Sequence, residues 1–230
     1  MKDYVAKNIA RVLSLLFCAA ASYAADPALP SQEPGNFLAR LEALALLQTL
    51  NADLLSHDSA TLTLERWCDS HRLASPPRIT AQRLAVADLP PSDEQRRELG
   101  VTPAEPVRYR RVRLLCGALV LSEADNWYVP SRLTPPMNRL LDSTDTPFGK
   151  AVQALHFQRH TISAKLLWQP LPEGWEMNPA AASAGAQQPV RPEQVLQHRA
   201  VLSLPDGTPF SEVVETYSGN VLAFFAPASQ

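Results

Sequence analysis

Val107-Arg-Tyr-Arg-Arg-Val-Arg-Leu-Leu-Cys116, then Gly117-Ala118, then Leu119-Val-Leu-Ser-Glu-Ala-Asp-Asn-Trp-Tyr-Val129 is the stretch that decides the fold. Both arms are rich in β-branched and aromatic residues and meet at a glycine, which reads as two antiparallel strands of a hairpin. Side chains alternate across a strand, so Tyr109, Arg111, Arg113 and Leu115 share one face of the first arm. Arg108, Arg110, Val112 and Leu114 share the other.

Reading outward, a second hairpin comes late in the chain. His198 to Leu204 and Phe210 to Tyr217 flank Asp206-Gly207, a strong two-residue turn signal. Arg78 to Val86 is a further strand, Val221 to Phe225 a last one, and Val152 to Leu167 becomes a strand from about Thr161. Helices precede the sheet. Leu38, Leu41, Leu44, Leu47, Leu50 and Leu54 recur at helical spacing within Phe37 to Leu55. A second helix starts at the N-cap pair Asp58-Ser59 and runs through Cys68. Asp93 to Leu99 is a short polar helix stopped by Gly100, and Leu133 to Leu141 is helical, entered through Pro135-Pro136. Helices first and hairpin strands after them give an α+β class: an antiparallel sheet with helices packed on one face.

The organisation along the chain is threefold. Residues 1–24 read as a secretory signal: Lys2, Lys7 and Arg11, an apolar run from Val12 to Ala21, and Ser22-Tyr23-Ala24 ahead of a cut at Ala25. The apolar run is too short to span a bilayer, so no stable membrane span is expected after cleavage. The protein is therefore expected in the periplasm or secreted; a misassigned start would leave it cytoplasmic. Residues 25–36 are a Pro-rich lead-in expected to be mobile, and residues 37–230 are one domain. That domain carries a Pro/Ala-rich surface insertion at about 171–193.

Hydrophobic residues make up 46% and charged residues 19%, enough for a core, and the net charge of -2 with no basic patch excludes a nucleic-acid partner. A monomer is expected. Cleavage leaves Cys68 and Cys116. They could pair in an oxidising compartment, but two separate buried thiols are the plainer reading. Without clustered histidines they offer no metal-site spacing. There is no Gly-rich phosphate loop, nucleophile elbow or metal-binding His pair, and His57, His156 and His160 read as surface or loop residues.

Three features carry candidate chemistry. An arginine fork on the Val107–Cys116 strand suits a carboxylate, while pairing with Glu123 and Asp125 on the next strand is the plainer role. Glu212 sits between Phe210 and Val214 and reads as inward; burial there would favour its protonated form. Glu215 falls on the opposite, solvated face. Asp145-Thr-Pro-Phe-Gly149 is a tight turn whose N–H groups could meet an anion or hydroxyl.

Taken in order, these features resemble the chorismate lyase family. Leu54-Leu-Ser-His-Asp-Ser-Ala-Thr61 looks like that family's opening helix segment. Arg111-Val-Arg-Leu-Leu-Cys116 with Trp127-Tyr-Val-Pro130 looks like its central hairpin. Thr146-Pro-Phe-Gly149 is similar to its Thr-Pro-Leu-Gly turn, and Ser211-Glu212 stands where it carries a Thr-Glu pair. The resemblance implies a buried pocket under helical flaps and a pyruvate elimination that turns chorismate into 4-hydroxybenzoate without metal or organic cofactor. By position, Arg111 would hold a carboxylate, Phe148 and Gly149 would contact the ligand through their backbone, and Glu212 would hydrogen-bond its hydroxyl and assist proton movement. Ala60 replaces a ligand-touching Met and enlarges the pocket; Arg113 replaces an aliphatic residue beside Arg111. Export parts the protein from cytoplasmic chorismate, which opens the alternative of an exported, non-catalytic binder of an aromatic or carboxylated small molecule. A related fold serves as the effector-sensing domain of some transcription regulators.

Overall fold

The computed structural model describes residues 34–178 and 190–225. The expected signal segment, most of the lead-in and the middle of the Pro/Ala-rich insertion lie outside the described residues.

The two hairpins form as their local sequence dictates. β2 (Arg108–Cys116) and β3 (Leu119–Tyr128) turn at Gly117, whose φ of 58° is left-handed. β5 (Gln194–Ser203) and β6 (Pro209–Ser218) turn at Gly207, where Asp206 Oδ1 accepts from the Thr208 N–H at 2.9 Å. β1 (Ile79–Arg83) adds to β2, β4 (Gln158–Leu166) adds to β5, and β3 pairs β6. The result is a six-stranded sheet, order β1-β2-β3-β6-β5-β4, antiparallel throughout. β4 thus starts three residues before the expected Thr161. The expected last strand at Val221 to Phe225 is instead a 3-10 turn, Gly219–Leu222, because the Ser218 hydroxyl caps the Asn220 N–H and turns the chain.

On one face, α1 (Pro34–Leu55) and α2 (Ala60–Ser70) cover the sheet. Leu47, Leu50 and Leu54 of α1 and Leu64 and Trp67 of α2 pack with Val112, Leu114, Leu196 and Tyr217 from the strands. The apolar stripe is narrower at its start than the leucine spacing suggests: Ala39 and Ala43 are buried and Leu38 is exposed. Ser59 caps α2 by accepting from the Leu62 N–H, so the helix begins where the sequence says it should. α4 (Pro135–Ser143) and α5 (Phe148–Ala151) close the same face through Met137, Leu141 and Phe148 against Tyr128, Leu202 and Phe210. The expected Asp145–Gly149 turn is therefore the entry to a short helix.

Cys68 of α2 and Cys116 of β2 form a disulfide, with Cα atoms 6.3 Å apart, within the bridging range. The reading of two separate thiols is corrected. Helix pitch puts Cys68 on the sheet side of α2, and the hairpin end brings Cys116 beneath it.

The other face is not bare. α3 (Asp93–Glu98), held by a capping box between Ser92 and Gln95, lies there. With Leu99 it covers Trp127, Val129 and Val214. Helices cover one face as read from the sequence, with this six-residue helix as the exception on the other.

Candidate functional site

The strand pleat and two helix starts build a cavity on the α1/α2 face. β2 contributes Arg110, Val112 and Leu114, β3 contributes Ala124 and Asn126, and β6 contributes Val213 and Glu215. Asp58, Ser59, Ala60 and Thr61 come from the start of α2, Phe148 and Gly149 from the start of α5, and Phe157, Arg159 and Leu202 complete the lining. Gly149 is needed for this meeting: a Cβ there would lie 2.8 Å from Ser59 Oγ. The cavity volume is about 40 Å³, room for two or three waters, whereas roughly 150 Å³ is needed for a benzene ring.

Arg110 dominates its electrostatics. The residue is 6% exposed and one guanidinium nitrogen donates to the Thr146 carbonyl at 3.2 Å. Its Nε and Nη1 have no hydrogen-bond partner among the described residues, and no carboxylate forms an ion pair with it there. Burial, with Arg83 nearby, pulls its pKa down to about 10. A desolvated, unmatched cation of this kind is a costly feature that an anion would relieve.

Across the cavity, Arg159 and Glu215 form a buried ion pair at 2.6 Å, with side chains 3% and 8% exposed. Burial works against the Arg159 charge, but Glu215 outweighs it and holds the pKa up. Behind this pair, burial drives the Tyr217 hydroxyl well up, and that hydroxyl donates to Glu215 at 3.2 Å. His198 is fully buried, contacts Asn51 at 2.8 Å, and is pulled down to about 4 by burial. Asn126 accepts from the Ser211 hydroxyl at 2.7 Å.

The sequence-derived residues divide. Phe148, Gly149 and Ala60 line the cavity. Arg111 and Arg113 do not: both lie on the outer face, pairing with Glu123 at 3.2 and 2.7 Å, and Arg111 also reaches Asp125. The cross-strand ladder is their role, and Arg110 holds the inward position. Glu212 is fully buried as read from the sequence, but on the outer face under α3. There Arg199 donates to it at 2.8 Å and Gln95 at 3.3 Å. The inward carboxyl on β6 is Glu215, corrected from the solvated position it was given. The cause is a register shift between Leu202 and Ser203 beside Phe210. Phe210 packs with Phe148 and Phe157 on the cavity side, so it does not share a face with Glu212. The missed residues had a signal: Arg110 alternates with two apolar residues, Val112 and Leu114, whereas Arg111 and Arg113 stand opposite acids.

The fold and cavity define a small α+β domain with an open antiparallel sheet. The effector domain of PhnF from Mycobacterium smegmatis is similar at 14% identity, covering 71% of this chain and 90% of that one, with a TM-score of 0.45. A GntR-family transcriptional regulator from Bacillus cereus is similar at 10% identity, covering 66% and 97%, with a TM-score of 0.39. At these scores neither likeness carries an argument about function. No family model matches the chain. The "Uncharacterized protein y4mC" of Sinorhizobium fredii (strain NBRC 101917 / NGR234) is 54% identical over 205 residues, 89% of this chain and 86% of that protein. The chain belongs to the y4mC family.

Proposed function

We propose that the protein binds a small aromatic carboxylate in the cavity, and that Arg110 takes the carboxylate. One observation carries this reading: a cation 6% exposed, with two unpartnered nitrogens, in an otherwise largely apolar lining. Phe148, Phe157, Val112 and Leu202 would pack on a ring, and Asn126 or the Arg159–Glu215 pair would meet a distal hydroxyl.

The resemblance to chorismate lyase carries a second reading, pyruvate elimination from chorismate. It asks for a carboxylic acid that faces the ligand and can hand over a proton. Glu215 faces the cavity but is ion-paired with Arg159, and Glu212 is ion-paired with Arg199 on the other face. Binding without turnover is the reading that this geometry favours. Export belongs to the same proposal: residues 1–24 have the pattern of a secretory signal, and the Cys68–Cys116 disulfide suits an oxidising compartment. No described helix is long and apolar enough to cross a membrane.

The test is calorimetric titration with 4-hydroxybenzoate and benzoate, alongside incubation with chorismate. The expected result is saturable binding of at least one acid, weakened about 10- to 100-fold in Arg110→Gln by loss of a charge-assisted contact, with chorismate unchanged. Chorismate turnover would replace the binding reading with the lyase. Equal affinity in Arg110→Gln would remove Arg110 from the site. An N-terminus at Ala25 on protein recovered from the periplasm supports export; an intact Met1 overturns it.

A further inference from the structure

The cavity is too small for the ring it is proposed to hold, and the reason lies in one thin wall. On the far side of that wall is a surface depression of about 220 Å³. Cavity and depression share three lining residues, Asp58, Ser59 and Phe157. The polar depression near Arg83 and Asp142 shares only Arg110 with the cavity.

Resting on the reading of the cavity as a ligand site, we infer that this wall is the ligand's way in and that Asp58 is its latch. Asp58 Oδ1 accepts from the Arg159 backbone N–H at 2.8 Å. This bond ties the loop before α2 to the start of β4. Arg159 is also the residue whose guanidinium pairs with Glu215 inside the cavity. Releasing the latch therefore frees the loop side of the wall, while the β4 ladder and Glu215 keep Arg159 in place. The segment has a hinge next to the gate. His156, immediately before Phe157, is held left-handed at φ 49° as it ends the 3-10 turn Gln153–Leu155. A non-glycine residue in that region is strained and leaves it readily when its surroundings loosen. Phe157 itself is 7% exposed and rests edge-on against Phe210, with ring centroids 6.0 Å apart. Swinging Phe157 outward joins cavity and depression into a space that exceeds the volume of an aromatic ring. Asp58 is exposed and Ser59 supplies the helix cap, so the latch can be removed without uncapping α2.

The experiment measures access to the cavity without needing the ligand. Ala124→Cys places a thiol on the sheet side of the cavity, and Val129→Cys places one in the fully buried cluster under α3 on the other face. Labelling of the full-length protein by the neutral aromatic disulfide 4,4′-dithiodipyridine is followed by thiopyridone release, after subtraction of the parent protein's signal. Asp58→Ala is expected to speed labelling at Ala124→Cys about tenfold, the worth of one charge-assisted hydrogen bond. Asp58→Asn, which keeps an acceptor, restores the slow rate. Phe157→Leu speeds it independently, and Val129→Cys stays slow throughout. An unchanged rate at Ala124→Cys in both Asp58→Ala and Phe157→Leu overturns the gate, as does equal acceleration at Val129→Cys. The labelling needs no acid, so the two proposals fail separately: equal acid affinity in Arg110→Gln overturns the binding reading, and labelling that ignores both Asp58→Ala and Phe157→Leu overturns the gate.

Discussion

The sheet carries a buried charged group on each face, and the two are furnished differently. Under α3, Glu212 is fully buried and Arg199 meets it together with Glu94 and Glu98, at 2.8, 3.0 and 2.7 Å. Burial alone would lower the Arg199 pKa, yet these carboxylates raise it. On the cavity face Arg110 has a single carbonyl for a partner. The outer face matches its cation from within the chain; the inner face leaves one unmatched. Burial of a charge is therefore not what distinguishes the two faces. What sets the cavity apart is a charge for which the fold provides no counterpart.

The largest expected effect tests the layer that closes the cavity. The Cys68–Cys116 disulfide spans 48 residues, so Cys68→Ser with Cys116→Ser should cost about 4 kcal/mol in denaturant unfolding. A loss below about 1 kcal/mol would mean that packing alone holds α2 on the sheet.

Acid should next set the two faces against each other. His198, on the inner face, is held neutral by burial with its pKa near 4 instead of 6.5. A base depressed in the fold gives its full stability above 6.5 and loses it as pH falls toward 4, here up to about 3 kcal/mol. Glu98, on the outer face, is raised by burial and by the Glu212 carboxyl. An acid raised in the fold favours the folded state below its unfolded value of 4.5, and that advantage is lost as pH rises through the raised value. His198→Gln should flatten the stability profile between pH 6.5 and 4; an unaltered slope would place the acid sensitivity elsewhere.

A direct exchange of partners comes third. Glu212→Ala should cost about 2 kcal/mol, because it removes a buried partner of Arg199 and Gln95. Arg110→Met should cost nothing or raise the melting temperature, because it removes a buried charge that lacks a mate. If both variants lose equal stability, the contrast between the faces fails. The smallest effect is at Arg111. Its ladder to Glu123 and Asp125 is more than a third exposed on the arginine side, so Arg111→Ala should change stability by less than about 1 kcal/mol. It should leave acid binding intact.

The contrast also explains what the sequence could and could not tell. Both hairpins, the Ser59 cap and the stop at Gly100 depend on a few neighbouring residues, and all could be read directly. Alternation on β2 was legible as well, down to which arginines share a face. Which face looks inward was not. That depends on where α3 lands, and a six-residue polar helix gives no periodicity from which to infer that it would bury Glu212. On β6 a shift beside Phe210 broke the two-residue rule within the hairpin, so counting from Phe210 assigned Glu212 to the wrong side. Arg159 and His198 carried no local signal. Their importance comes from Glu215 and Asn51, which stand far from them in the chain.

The cavity lining has a consequence for how its shape can be altered. Its sheet residues are alternate positions on separate strands, and its helix residues sit at two helix starts. A substitution at Ala60, Ala124 or Leu202 reshapes one wall while the others stay in place. Gly149 is the exception, since any side chain there would push into the Ser59 hydroxyl that caps α2. The shape of the cavity can therefore change in single-residue steps around one glycine that has to stay.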